Sequence, residues 1–107
     1  MTKEELFLSN LDFDYNKYAD AFNSKIDDIK SIAIKAAKEY GNTYRQGGKI
    51  MRFSDIFRKF KRLEKEFLHG HLREREKTAD DLKDLAVYCI VFWIYLDELD
   101  CIGEIDD

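Results

Sequence analysis

The sequence predicts an all-α fold: an antiparallel bundle of three long helices plus a short N-terminal helix or arm. Three observations carry that expectation. The 107 residues contain no proline and only five glycines, so few positions interrupt a helix. Apolar residues recur at steps of three and four over long stretches. Four of the five glycines fall at two points, Gly41 to Gly48 and Gly70, and these divide the chain into three long segments. A chain of this length is read as a single domain over 1–107. With 14% aromatic and 37% charged residues it has enough apolar surface to fold.

Residues 1–14 form the arm. Leu6, Phe7, Leu8, Leu11 and Phe13 are apolar there, and Ser9-Asn10 offers a break. A first long helix is expected over 15–40. Its apolar positions Tyr18, Phe22, Ile26, Ile29, Ala33, Ala36 and Tyr40 lie in one stripe, and Gly41 suits a left-handed cap. The loop Gly41 to Met51 is polar and glycine-rich, and such loops let backbone amides approach a ligand. A second helix is expected over 54–68, capped by Ser54, with Phe53 and Phe57 as a hydrophobic staple. Phe53, Phe57, Phe60, Leu63 and Phe67 are its inner stripe. A third is expected over 79–99, with Thr78 and Asp81 in the form of a capping box. From Leu85 to Leu96 it is apolar nearly all round, which suits a central helix or one that also meets a second chain. That run of about 12 residues is too short for a membrane span, which needs about 20. The helices should alternate in direction, so the end of the first and the start of the third lie at opposite ends.

The net charge of −4 argues against direct DNA binding by bulk charge. It hides an asymmetry. Arg45 to Lys65 carries eight bases against Asp55 and Glu64, whereas Thr78 to Asp107 carries nine acids against Lys83. An anionic ligand or contacts between segments would explain the split. Asp80, Asp81 and Asp84 share helix faces at spacings of three and four and are candidates for Mg²⁺. The competing reading is that acids in a first turn serve capping and the helix dipole. Asp84 stands at the edge of the apolar run and needs a base, a hydroxyl or a metal. Arg45, Lys59 and Arg62 are the candidate phosphate ligands; a solvated face or salt bridges to the third helix is the alternative. Tyr40, Tyr44 or Tyr88 is placed to stack a base. His69 and His71 flank Gly70 without further ligands nearby, a weak metal signal. Cys89 reads as core packing. Cys89 and Cys101 are too far apart on one helix to pair, which suits a reducing cytoplasm. No phosphate-binding glycine loop, nucleophile elbow or paired-cysteine motif is present.

Taken in order, KEYGNTYR, RFSDIFRKFKRLEKE and DDLKDLAVYCIVFWIYL resemble the phage-associated nucleotide modification associated domain, distantly like the all-α nucleoside triphosphate pyrophosphatases of the MazG and dimeric dUTPase group. The matching positions are Tyr40-Gly41, Lys59 with Arg62-Leu63, and Asp84-Leu85-Ala86 with Tyr88, within residues 35–98. The resemblance implies a nucleotide-handling helical protein of phage or mobile-element origin, a homodimer, and a Mg²⁺-dependent pyrophosphohydrolase if it is catalytic at all. It implies that Asp81 and Asp84 stand for the group's Glu-x-x-Asp pair. Of the group's other acidic cluster, Glu-Glu-x-x-Glu, only Glu39 beside Tyr40 has a counterpart. The rival expectation is a small acidic phage inhibitor acting on a host nucleic-acid enzyme, with Asp97 to Asp107 as the contacting tail. A third is a helical dimerisation module.

Overall fold

The computed structural model describes residues 1–68 and 75–103. The expectations about His69, Gly70, His71 and the last four residues of the acidic tail lie outside this range. The described residues are helical and contain no strand: α1 (Lys3–Ser9), α2 (Tyr15–Tyr40), a 3-10 turn (Gly41–Arg45), α3 (Gly48–Leu68) and α4 (Arg75–Cys101).

Side-chain caps start the first two helices. Thr2 Oγ1 accepts from the Glu5 amide at 3.0 Å, and Asp14 Oδ1 accepts from the Lys17 amide at 3.1 Å. The second cap fixes α2 at the expected boundary. Gly41 closes it at φ 59°, with its N–H on the Ala37 carbonyl. At Gly47, φ is 78° and an added Cβ would lie 1.9 Å from Met51 Cγ, so only glycine fits before α3.

Two helix starts differ from expectation. The second long helix begins at Gly48, six residues before Ser54, so Ser54 lies inside it and is no cap. Residues 48–53 contain no breaker after the glycine, and Arg52 is tied to the Tyr44 carbonyl and to Asp55 one turn on. Phe53 and Phe57 are therefore neighbours one turn apart, stacked at 6.3 Å, and not a staple across a helix start. The third long helix begins at Arg75, because Arg75, Glu76 and Lys77 are all good helix formers. Thr78 is thus interior and buried, and its hydroxyl lies 3.4 Å from Glu66 on α3.

α3 and α4 run antiparallel in one continuous register. Along the pair, Gly48 stands by Tyr95, Arg58 by Tyr88, Lys59 by Asp84, Arg62 by Asp81 and Glu66 by Thr78. The turn after α2 meets the C-terminal end of α4 through Tyr44 and Glu98, so α2 runs in the same direction as α4 and the three long helices alternate.

The seam is more polar than expected. Leu63, 7% exposed, is the one apolar side chain classed as buried among the described residues. The phenylalanines at 53, 57, 60 and 67 are not the inner stripe; each is about half exposed. The seam face of α3 is instead Arg52, Ile56, Lys59, Leu63 and Glu66, stepping by four and three. The phenylalanine row lies on the adjoining face. The all-round apolar α4 is not enclosed either. Trp93 is 68% exposed, and Cys89, expected in the core, is exposed too. On α2 the small residues Ala19, Ala33 and Ala36 and the side chain of Ile29 are partly covered, while Tyr18, Phe22 and Ile26 stand open. The radius of gyration is 17.5 Å, against about 13 Å for a compact chain of this length. Among the described residues no helix is long and apolar enough to cross a membrane.

Candidate functional site

The expected metal ligands and the expected phosphate ligands meet one another. On α3, Lys59 and Arg62 are three apart and so project from one side of the helix; on α4, Asp81 and Asp84 do the same. The antiparallel register brings the two pairs together. Lys59 Nζ lies 2.9 Å from Asp84 Oδ2 and 3.4 Å from Asp81 Oδ1, and Arg62 Nε lies 3.6 Å from Asp81 Oδ2. Asp81 is buried and the Lys59 side chain is only 13% exposed, whereas Arg62 and Asp84 reach solvent. Glu66 and Thr78 continue the polar row one turn further on.

This is the partner that Asp84 needed: a base, shared with Asp81. The lysine ammonium is held charged, its pKa raised by the hydrogen bond to Asp84, with burial working in the opposite direction. Asp81 Oδ1 and Asp84 Oδ2, which a cation would use, face Lys59 instead, and Asp81 Oδ2 faces Arg62. Glu39 is not with them. It closes α2 beside the 3-10 turn, at the end of the fold where Glu98 lies, and Glu98 is about 25 Å along α4 from Asp81. Among the described residues no three acidic, histidine or cysteine side chains are grouped to hold a metal ion.

A second polar cluster forms at that other end. Tyr44 donates its hydroxyl to Glu98, and Arg45 also bonds Glu98 and the Tyr44 hydroxyl. Accepting from Tyr44 and, next, from Arg45 holds the Glu98 carboxyl below its usual range, against partial desolvation. The same bond to Glu98, helped by burial, raises the Tyr44 hydroxyl, and Glu98 likewise raises Arg45. Arg45, expected to meet phosphate, is thus engaged with an acid of its own chain. Arg52 donates to the Tyr44 carbonyl, which pins the turn from beneath.

Of the candidate stacking residues, Tyr40 and Tyr44 lie at one end of the fold and Tyr88 at the middle of α4. Tyr40 is exposed at the end of α2. Tyr88 is half-buried in α4, its hydroxyl 3.5 Å from Arg58. The sequence did not point to Glu98, Glu66 or Asp55 as partners. A signal for Glu98 was there: alternating helices place the basic loop after the first beside the end of the third, so Arg45 meets whichever acid stands there.

The apolar residues form a feature of their own. Phe22, Ile26 and Ile29 of α2 and Cys89, Ile90 and Trp93 of α4 line an open groove between the two helices, with Lys25 on its rim. Its lining is almost wholly apolar. No family model, curated protein or solved structure matches this chain.

Proposed function

We propose that this chain is a helical protein-interaction module that works by seating the apolar flank of α2 and α4 on another polypeptide. One observation carries the reading. The chain exposes 9302 Å², whereas a compact monomer of its mass exposes about 6,200 Å². The excess of about 3,000 Å² is rich in large apolar side chains, among them Phe22, Trp93 and the phenylalanines of α3. An open groove lined almost wholly by apolar side chains, on a surface this large, marks an interaction site. The polar clusters favour the same reading, because their charges are already paired within the chain. A host nucleic-acid enzyme is one polypeptide the module would suit, and exposed Asp97 and Asp100 are the acids it would meet beside the groove.

The test is binding of an environment-sensitive apolar dye to the chain at high dilution, read beside its thermal melt. The module should bind dye strongly and melt broadly when unpartnered. A sharp melt without dye binding contradicts it.

A second reading is nucleotide binding with Mg²⁺. Its support is that Lys59, Arg62, Asp81 and Asp84, all positions singled out by sequence, meet at one place with exposed Arg58 beside them. Mg²⁺ would take oxygens of Asp81 and Asp84 in place of Lys59, with water and phosphate completing its six ligands. Lys59 and Arg62 would then be free for phosphate. A thermal-shift series with nucleoside mono-, di- and triphosphates, with and without Mg²⁺, decides it. A ligand at a hundred times its Kd adds about 2.7 kcal/mol, a shift of several degrees, and a flat series sinks the reading.

A further inference from the structure

We infer that the polypeptide covering the α2–α4 groove is a second copy of this chain, paired about a two-fold axis with the two α2 helices antiparallel. The inference rests on the interaction reading and names its partner.

The first argument is area. Obligate homodimers bury about 2,000–5,000 Å² or more in total, so each chain loses about 1,000–2,500 Å². Pairing on that scale removes about a third or more of this chain's excess.

The second argument is charge. Along α2 and its approach, Asp12, Asp14, Asp20, Asp27 and Asp28 outnumber Lys17 and Lys25. Beyond them Lys30, Lys35 and Lys38 outnumber Glu39. The stretch 12–28 is therefore acidic, with Asp12 and Asp14 just ahead of the helix, and the stretch 30–39 is basic. A parallel copy sets like against like. An antiparallel copy sets each acidic half on a basic one, and opposite potentials select that register. The sign changes between Asp28 and Lys30, close to the middle of the groove residues Phe22, Ile26 and Ile29. Both features therefore put the axis near residue 27.

The third argument is self-complementarity. A two-fold contact uses the same patch on both chains. Phe22 and Trp93 supply large aromatic knobs, and Ala86 on the same groove supplies a small position beneath them. Symmetry gives each chain's knobs the partner's groove.

The pairing is tested on the unmodified chain in two steps. Sedimentation equilibrium over a range of concentrations reads the mass. Equal amounts of light and ¹⁵N-labelled chain are then joined with a zero-length amine–carboxyl cross-linker, and mixed-isotope peptides identify links between copies. The expected result is a dimer in which Lys35 is joined to Asp20 and Lys38 to Asp14 of the other copy. Phe22→Asp, at a position exposed in the single chain, should weaken the dimer at least tenfold while leaving helicity unchanged. A dimer whose mixed links join residues at the same level of α2 far from the axis, such as Lys17 with Asp20 or Lys38 with Glu39, overturns the antiparallel arrangement. A monomer at every concentration, still binding the apolar dye, overturns the second copy but leaves the interaction reading standing.

Discussion

The two sides of α4 face opposite situations. Toward α3 it meets charged and polar partners at several levels, Asp84 and Asp81 with Lys59, Asp81 with Arg62, Thr78 with Glu66, around the buried Leu63. Toward α2 it presents Cys89, Ile90 and Trp93 to an open groove. Burying charges and exposing apolar side chains is the reverse of what a self-sufficient small domain does. An ion pair in a partly dry seam contributes little net stability, because desolvation offsets the attraction. It does fix the register, since a shift along the seam would part Lys59 from Asp84 or Arg62 from Asp81. The α3–α4 side therefore supplies specificity around Leu63, and further apolar burial has to come from the other side.

The largest effect that would break this comparison is expected at the seam. Asp81→Ala leaves Lys59 and Arg62 short of a partner and should destabilise by about 2–4 kcal/mol in a denaturant titration. The double variant Lys59→Met with Asp81→Leu should lose less than Asp81→Ala alone, because the charges it leaves unpaired, Arg62 and Asp84, both reach solvent. If the double variant loses more, the pair is a net source of stability. Leu63→Ala should cost about 2–3 kcal/mol, at the low end for a core leucine because its surroundings are polar. Asp84→Ala should cost under about 1 kcal/mol, since that carboxyl is 45% exposed and Asp81 still holds Lys59.

The pH dependence sharpens the same contrast. Lys59 and Tyr44 are raised in the folded chain, so their contribution is complete below their ordinary values of about 10 and is lost as pH rises through the folded ones. Glu98 is lowered, so its contribution is complete above the ordinary carboxylate value of about 4.3 and is lost as pH falls through its folded value. Stability should be flat between these limits and fall on both sides. The smallest effect is expected from Glu98→Gln. It should leave the melt nearly unchanged but speed amide exchange in the 3-10 turn at Gly41–Arg45, which loses its tie to α4; unchanged exchange would show that the turn is held by Arg52 alone.

The bundle was legible because its signals are local. The Asp14 cap and Gly41 fix α2 at both ends, and its stripe is regular. The starts of α3 and α4 were not, because Ser54 and Thr78 have the chemistry of caps yet are used inside helices, where tertiary partners decide. The phenylalanine stripe of α3 misled for a related reason. Periodicity shows that residues share a face, but not whether this chain or another one covers it. The candidate site was half legible. Lys59, Arg62, Asp81 and Asp84 were singled out as two ligand sets, and only the antiparallel register shows the two sets bound to each other. Glu39 was separated from them by topology that spacing cannot reveal.

The central claim is that the open side of α4 and α2 belongs against another polypeptide, here a second copy. The most direct measurement is the melting temperature of the wild-type chain over a hundredfold range of its own concentration, with Phe22→Asp alongside. Coupled folding and pairing predicts that the wild type gains about 2.7 kcal/mol over that range, several degrees, and that the variant gains much less. A melting temperature that stays constant in both would contradict the claim, because a chain that needs a copy to cover its apolar side cannot be indifferent to how many copies are present.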